Sequence, residues 1–303
     1  TDIKKLNEIV VTANAIEREK RSVGYGVSTV TGSDLTKGEE RSLVNSLQGK
    51  VAGVQITSAS GGVGSSSRII IRGGSSLLGD NRPLMVVDGI PIQDDNFQTG
   101  DELNRQVDAG NRANDINPED IESISILKGP AAAALYGSRA SNGAVMITTK
   151  SGKALKGSGK NLSMTFSSGM TFETPLKLPE FQNQFGQGLP FFLHDLRENT
   201  SWGAPFDGVV RPWGYAIDGE QRVKPYVGLE DNVREFFDIG HTYTNNFSLA
   251  GNQDKTAYYF SFGNVKQTGI IPGTEYNRYS FKVSASTELS NHVSSSASVI
   301  YSK

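Results

Sequence analysis

Hydrophobic and polar positions follow two different patterns along the chain. Up to about residue 152, short apolar runs are separated by Gly, Pro and Asn-Gly or Asp-Gly turn signals. After Gly152, apolar and polar residues alternate over long stretches, which is typical of strands with one apolar face. The sequence therefore predicts a mixed α+β region followed by long antiparallel strands. The alternating stretches are 161–172, 255–265, 277–290 and 292–303, with a weaker one at 241–251.

Local signals in the first region predict short helices and strands. Ser42 is placed to cap a helix in which apolar residues recur at spacing four. The apolar run 68–73 predicts a strand that is buried on both faces. The other predicted elements are a hairpin over 83–92 with Asp88-Gly89 as its turn, a helix start at Asn117-Pro118 leading into a strand that ends at Leu127, a helix from Pro130 closed by Gly137, and an Asn-Gly turn followed by a strand within 141–150.

The alternating strands are about ten residues or longer, which is the length that a tilted strand needs to cross a bilayer. Their connections alternate between long and short, as they do in outer-membrane barrels, whose short turns are periplasmic. We therefore expect the first strand to run outward and residues 173–240 to form a long extracellular loop. A secreted all-β domain is the alternative. Because about five strands cannot close a barrel, we expect these residues to be part of a longer protein.

Composition excludes several classes of function. The 303 residues carry 30 Lys+Arg and 32 Asp+Glu, and this balance argues against a nucleic-acid binder. The chain has no cysteine, and its three histidines (His194, His241 and His292) lack the spacing of metal ligands. We expect no cofactor and no metal. No apolar run is long enough for a membrane-spanning helix.

Neither acidic pair indicates catalytic chemistry. We interpret Asp94-Asp95 as a solvated loop, and Glu119-Asp120 as acids in the first turn of a helix, where they are favoured. An enzyme would need a convergent acid–base or nucleophile site, and the sequence shows none. We therefore predict that the protein is not an enzyme. The stretch 231–240 predicts a short helix capped by Asp231 with Phe236 turned inward.

The order of the motifs resembles the TonB-dependent outer-membrane transporters, and most closely their SusC/RagA branch, found in Bacteroidota. The resemblance covers nearly the whole chain and implies an α+β plug domain followed by antiparallel transmembrane β-barrel strands, the barrel being incomplete in this chain. It implies a TonB box and tether at 1–24, a plug domain at 25–152 and the N-terminal part of the barrel at 153–303. The motifs are LNEIVVTA (6–13), LQGKVAGVQI (47–56), RIIIRG (68–73), PLMVVDGIPI (83–92) and NPEDIESISILKGPAAAALYGSRASNGAVMITTKSG (117–152).

The resemblance also assigns a role to the β-branched stretch near the N-terminus. A strand of this kind at a chain end invites pairing with another chain. In the family, TonB binds such a segment by strand addition, and residues 14–24 would tether it to the plug. The implied TonB-binding residues are Glu8, Ile9, Val10, Val11, Thr12 and Ala13.

Charged and aromatic side chains supply further candidates. Cations in the matched plug motifs are placed to form ion pairs with the barrel wall or, alternatively, within the plug; they are Arg68, Arg72, Lys128 and Arg139. Aromatic residues crowd 181–228, where they would stack on sugars, pack on a partner or pack on the loop itself.

The resemblance implies TonB-dependent import of a bulky nutrient, an oligosaccharide or a peptide, across the outer membrane. The implied partners are TonB, a SusD-like surface lipoprotein and outer-membrane lipid, with the N-terminus in the periplasm. A TonB-linked signal-transducing receptor is the alternative, and that class needs a periplasmic signalling domain ahead of residue 1.

Overall fold

The computed structural model divides into two compact units. One takes in the described residues up to Phe172 together with His241–Gly269 and Thr274–Lys303, and the other holds Glu173–Gly240 and Ile270–Gly273. Among the residues described, no helix is long and apolar enough to cross a membrane. The structure describes residues 9–11, 17–19, 26–38, 40, 42–58, 62–74, 76, 81–94, 96–101, 104–155, 161–189, 193–195, 197–290 and 292–303.

The first unit begins with the short elements of the mixed region, and we call the part from Val27 to Lys150 the plug. Ahead of it lies a two-stranded hairpin. The elements are β1 (Ile9–Val11), β2 (Glu17–Glu19), β3 (Val27–Thr31), α1 (Gly32–Thr36), α2 (Leu43–Ser46), β4 (Val54–Ser58), β5 (Ser67–Ile71), β6 (Leu84–Val87), β7 (Ile90–Ile92), β8 (Asn96–Asp101), β9 (Asn104–Asn111), β10 (Ile121–Leu127), α3 (Pro130–Tyr136) and β11 (Ala144–Thr149).

The plug is organised around a five-stranded sheet in the order β3-β10-β11-β6-β7. The β11–β6 pair is parallel and the other pairs are antiparallel. Strand β11 has apolar residues on both faces, because one face meets α1 and α2 and the other meets α3. The larger apolar cluster includes Leu35, Leu43, Leu47, Ile124 and Ile147, and the smaller includes Val86, Leu127, Ala132 and Met146.

Turn and cap chemistry explains where several plug elements begin and end. The β6–β7 hairpin turns at Asp88 and Gly89, with φ of +47° and +87°, which confirms the predicted Asp-Gly turn. The predicted Pro130 helix is confirmed, and Gly137 ends it at φ +76°. Ser42 caps α2 by accepting from the Asn45 amide at 3.4 Å, as predicted.

Two plug predictions need correction. Strand β5 is not buried on both faces: it pairs with β4 alone, Ile69 and Ile71 are buried, and Arg68 is exposed. The helix predicted after Asn117 is a 3₁₀ turn over Pro118–Asp120, and the strand already starts at Ile121. Side chains alternate along a strand, so Ile69 and Ile71 share the face that packs into the apolar core, and Arg68 lies on the other face and is exposed.

The second unit, which we call the loop unit, lies in sequence between two long strands, β12 (Leu162–Glu173) and the strand that begins at Gly240. Its elements are short: β13 (Gly188–Leu189), β14 (Leu193–His194), β15 (Val210–Pro212), β16 (Val223–Pro225) and α4 (Asn232–Glu235). The predicted helix at 231–240 is correct in type and wrong in detail. Asp231 makes no side-chain cap bond and Phe236 is exposed.

The long strands β12, β17 (Gly240–Gln253), β18 (Thr256–Thr268), β19 (Glu275–Ser290) and β20 (Val293–Ser302) form one sheet in that order, which we call the wall. The pairs from β17 to β20 are antiparallel. The Asn252 amide donates to the Asn161 carbonyl, and Ser168 bonds Asn245, so β12 is antiparallel to β17. The predicted alternating strands are confirmed.

Candidate functional site

The wall has one apolar face and one polar face. Along β18 and β19, apolar side chains such as Tyr258, Phe262, Tyr279, Phe281 and Val283 are exposed. The residues between them are mostly small or polar and are buried. The buried members of this inner face include Tyr259, Ser261, Gln267, Arg278, Ser280, Lys282 and Ser284. Because side chains alternate along a strand, one sheet presents apolar groups outward and hydrogen-bonding groups to the plug.

Two buried cations on β19 bind the backbone of the plug. Arg278 and Lys282 are four residues apart, so they lie on the same face of the strand, and they are 4% and 0% exposed. The Arg278 guanidinium donates to the Asn114 carbonyl. The Lys282 Nζ donates to the Lys150 carbonyl at 2.6 Å. Each cation thus reaches the plug through a main-chain oxygen.

The charge of Lys282 is compensated by its surroundings. Its Nζ lies 5.1 Å from the centre of the Tyr259 ring, in a cation–π arrangement. The carboxylates of Asp88 and Asp120 also interact with it electrostatically. A charged amine without compensation would be costly to bury. The Lys282 amine is therefore not isolated in the interface, because it has a carbonyl acceptor, an aromatic ring and two carboxylates as partners.

The 3₁₀ turn Pro118–Asp120 is a second point of contact. Asp120 is buried and accepts a 3.0 Å hydrogen bond from the Tyr259 hydroxyl. The Asn117 side chain donates to Asn246 at 2.9 Å. Glu119 is 3.5 Å from Ser167 on β12. This turn therefore touches three wall strands, and Asp120 is a wall contact rather than only a favoured helix-start acid.

Close packing supports these bonds. A Cβ added at Gly263 on β18 would lie 2.5 Å from the Ser280 hydroxyl oxygen and 2.6 Å from the Asn117 side-chain nitrogen. A larger residue at this position would force the side chains of Ser280, Asn117 and Asn246 to shift. Beside this contact lies a cavity of about 240 Å³ lined by plug and wall residues, including Asn117, Glu119, Ser167, Thr244 and Asn246. The interface is therefore closely packed at Gly263 and contains a cavity beside it.

The predicted TonB-binding stretch is described only in part. Ile9–Val11 form β1, which pairs antiparallel with β2, so that Val10 faces Arg18. Glu8, Thr12 and Ala13 lie outside the described residues. In the described part of the chain, β1 has one neighbouring strand and therefore one open edge.

The structure does not bring the four predicted plug cations together. Arg68, Arg72 and Arg139 are exposed, and the Lys128 Nζ donates at 2.6 Å to the Ala52 carbonyl inside the plug. Within the described ranges, no salt bridge joins any of them to a wall carboxylate. Their pairing with the rest of the barrel stays a prediction.

The sequence analysis missed the residues that hold the plug to the wall. Arg278 and Lys282 carried a usable signal, because both are cations on the polar face of an alternating strand. Asp94 was also misjudged. Its carboxylate accepts from the Ala113 amide at 2.8 Å and from the Asn111 side chain at 2.9 Å, so it organises the chain instead of lying in a solvated loop.

Comparisons with known proteins agree with this architecture. The family model "TonB-dependent Receptor Plug Domain" matches residues 19–144. "TonB-dependent receptor P26" of Formosa agariphila is 30% identical over 301 residues, covering 98% of this chain and 27% of that protein. "TonB-dependent receptor SusC" of Bacteroides thetaiotaomicron is 35% identical over 211 residues, covering 66% of this chain and 19% of that protein. The chain thus spans about a quarter or less of these relatives.

Among solved structures, the RagAB peptide importer in its open-open state matches 94% of this chain and 31% of its own, with a TM-score of 0.69 and 22% sequence identity. This likeness concerns the fold. The closed-closed state gives a TM-score of 0.67 at 21% identity. Together with the plug and the polar inner face of the wall, the comparisons identify the chain as a member of the SusC/RagA branch of the TonB-dependent outer-membrane receptors, comprising the plug domain and the first strands of the β-barrel.

Proposed function

We propose that the protein to which this chain belongs imports a bulky nutrient, an oligosaccharide or a peptide, across the outer membrane with energy supplied through TonB. The observation that best supports this proposal is the kind of contact that holds the plug against the wall. Its apolar core is internal, whereas its contacts with the wall are hydrogen bonds such as those from Arg278 and Lys282 to backbone carbonyls. Each such bond from a charged group is worth about 1.5–3 kcal/mol, less than the many apolar contacts of the core together, so a pull on the plug would break its contacts with the wall before it unfolds the plug.

The proposal gives each region a role. Glu8–Ala13 is the segment that TonB grips, residues 14–24 are the tether, and the N-terminus lies in the periplasm. The open edge of β1 suits strand addition, in which backbone groups supply the grip. The exposed apolar side chains of β12, such as Phe166 and Phe172, face outer-membrane lipid. None of these residues performs catalysis.

A SusD-like surface lipoprotein is the proposed partner. Support comes from the similarity to SusC and from the structural likeness to RagAB, which is described as a peptide importer. The RagAB likeness alone leaves oligosaccharide and peptide as equal possibilities, because at 22% identity it concerns the fold.

The test is nutrient uptake by cells that express the full-length gene with Ile9→Pro or Val10→Pro. Proline removes one backbone donor, and successive residues of a strand direct their donors to opposite edges. One of the two variants therefore removes a donor from whichever edge TonB uses. We expect uptake to collapse in at least one of them while the protein reaches the surface at the normal level.

Ser22→Pro is the matched control. It introduces the same residue into the tether, and we expect uptake to stay normal. Normal uptake in both Ile9→Pro and Val10→Pro would contradict the TonB-binding assignment. A collapse in all three variants would mean that the whole segment, rather than Glu8–Ala13, carries the coupling.

A further inference from the structure

The loop unit encloses a cavity of about 700 Å³, lined by residues between Leu176 and Arg234. This volume is in the range of sites that bind small ligands. Its lining combines aromatic rings with charged and amide side chains. The aromatic and cationic members include His194, Phe206, Arg211, Trp213, Lys224 and Tyr226.

One side of the cavity is built around Tyr226. This side chain is 9% exposed, and its hydroxyl donates to the Ala204 carbonyl at 3.2 Å. Its ring centre is 5.0 Å from that of His194 and 4.9 Å from that of Phe206. A Cβ at Gly186 would lie 2.2 Å from the Tyr226 hydroxyl oxygen, so this packing requires glycine there. The aromatic cluster therefore forms a preorganised surface.

Two cations lie directly opposite each other at the cavity. Arg211 on β15 is the register partner of Lys224 on β16. Like charges at directly opposite positions destabilise a strand pair. Each cation rests on an aromatic ring: the Arg211 Cζ is 4.6 Å from the centre of Tyr226, and the Lys224 Nζ is 4.8 Å from the centre of Trp213. The hairpin thus keeps an unfavourable charge pair at a concave surface.

The two cations differ in their partners. Arg211 is paired with Asp207. No carboxylate lies within salt-bridge distance of Lys224 in the part of the chain that the structure describes. One cation of the pair is therefore still available to an anionic group, and an anion bound there would relieve the repulsion between the two.

The remaining lining suits a sugar. The Trp213 side chain is 48% exposed and lies in the cavity lining, so part of its surface is open to a ligand. Asn183, Gln187 and Glu180 supply planar hydrogen-bonding groups of the kind that hydroxyl-rich ligands use. An aromatic platform, planar acceptors and an unpaired cation together describe a site for a charged carbohydrate.

We propose that this cavity binds an acidic oligosaccharide, with one sugar ring stacked on Trp213 and a carboxylate or sulfate group received by Lys224 beside Arg211. The inference rests on the proposed import function, for which it names the substrate class. Charge-assisted hydrogen bonds to a carboxylate are stronger than neutral ones, so the anionic group would set the specificity and the aromatic ring would contribute affinity for any sugar.

The test is calorimetric titration of the purified full-length protein in detergent with tetragalacturonate, a sulfated carrageenan tetrasaccharide, neutral cellotetraose and a tetraglutamate peptide. We expect at least one anionic glycan to bind about tenfold or more tightly than cellotetraose. Lys224→Met keeps the apolar stem over Trp213 and removes the charge. It should weaken anionic-glycan binding about tenfold and leave cellotetraose binding unchanged.

Trp213→Ala should weaken both kinds of glycan, because it removes the platform that they share. Arg222→Met is the matched control: Arg222 is an exposed cation next to β16 that does not line the cavity, so glycan affinity should not change. Limited proteolysis of each variant checks that the loop unit stays folded.

Three results would overturn the inference: no binding of either anionic glycan, equal affinity for neutral and anionic glycans, or normal anionic-glycan affinity in Lys224→Met. Tighter binding of tetraglutamate than of either glycan would replace it with a peptide site. The titration does not involve TonB. A negative titration would therefore contradict the glycan site without affecting the proposal of TonB-dependent import, and a negative uptake test would not affect the glycan site.

Discussion

The interior of the plug and its contact with the wall are built from opposite kinds of side chain. The interior buries aliphatic residues on both sides of one sheet, with Ile124 and Ile147 on one side and Val86 and Leu127 on the other. The contact with the wall is made by Arg278, Lys282 and other polar groups bonded to main-chain and amide oxygens. Both regions bury side chains, but with different chemistry.

The difference separates stability from attachment. Apolar burial is non-directional and roughly proportional to the area removed from water, and the two apolar clusters of the plug consist of plug residues only, so the core does not depend on bonds to the wall. A hydrogen bond depends on the alignment of two groups and is lost after a small displacement. The plug is therefore built to stay folded while its attachment changes.

The largest effect should come from the plug core. Ile124 is fully buried on β10, between Val30 and Ile147 on the neighbouring strands. Ile124→Ala removes buried methyl groups and leaves a cavity, so we expect the free energy of unfolding of the plug to fall by about 2–5 kcal/mol. Hydrogen exchange of the full-length protein in increasing urea, followed over β10 and β11, measures it.

Ile90→Ala is the control, because Ile90 lies on β7 of the same sheet and is 68% exposed. It should change the free energy by less than about 0.5 kcal/mol. Equal effects of the two variants would mean that the plug does not depend on its apolar core, and the comparison would fail.

An intermediate effect should come from Lys282→Met. The variant keeps an apolar side chain of similar length and removes the 2.6 Å bond to the Lys150 carbonyl, whose remaining donor is the Ser284 hydroxyl at 3.5 Å. A lost hydrogen bond from a charged group should weaken plug attachment by about 1–3 kcal/mol. We expect faster hydrogen exchange and protease cleavage at the end of β11, with exchange over Ile124 unchanged. Lys266→Met on β18 is the control, because Lys266 is exposed. Loss of protection throughout the plug would show that core and attachment are not separable.

The smallest effect should come from Tyr259→Phe, which removes only the hydroxyl that donates to Asp120. We expect a loss of about 0.5–1.5 kcal/mol in plug attachment. A double-mutant cycle with Asp120→Ala isolates the bond, because alanine offers no acceptor and the second substitution should cost less when the first is present. Strict additivity in the exchange data would mean that this contact contributes no coupling between plug and wall.

Much of the fold was predictable because its signals are local. The Asp88-Gly89 turn, the Pro130 helix and the Ser42 cap depend on residues within a few positions of one another. The prediction of the helix at 231–240 was wrong in its details, because they depend on contacts that are not local. Its caps looked suitable, but Asp231 makes no cap bond and Phe236 has no core to enter.

The candidate site was less predictable, since its bonds join distant parts of the chain. The Lys282–Lys150 bond spans 132 positions and the Tyr259–Asp120 bond spans 139. The alternation of β19 indicates that Lys282 lies on the polar face, but it cannot indicate which carbonyl of the plug will lie opposite.

The sequence by itself determined the two regions, the alternation of the wall and the turns of the plug, because strand period and turn geometry are properties of neighbouring residues. Only the tertiary structure decided which polar groups join plug to wall and that Arg211 faces Lys224 across a hairpin at a cavity. Those outcomes depend on where separate segments come to rest, and that is decided by packing over the whole unit rather than by any local pattern.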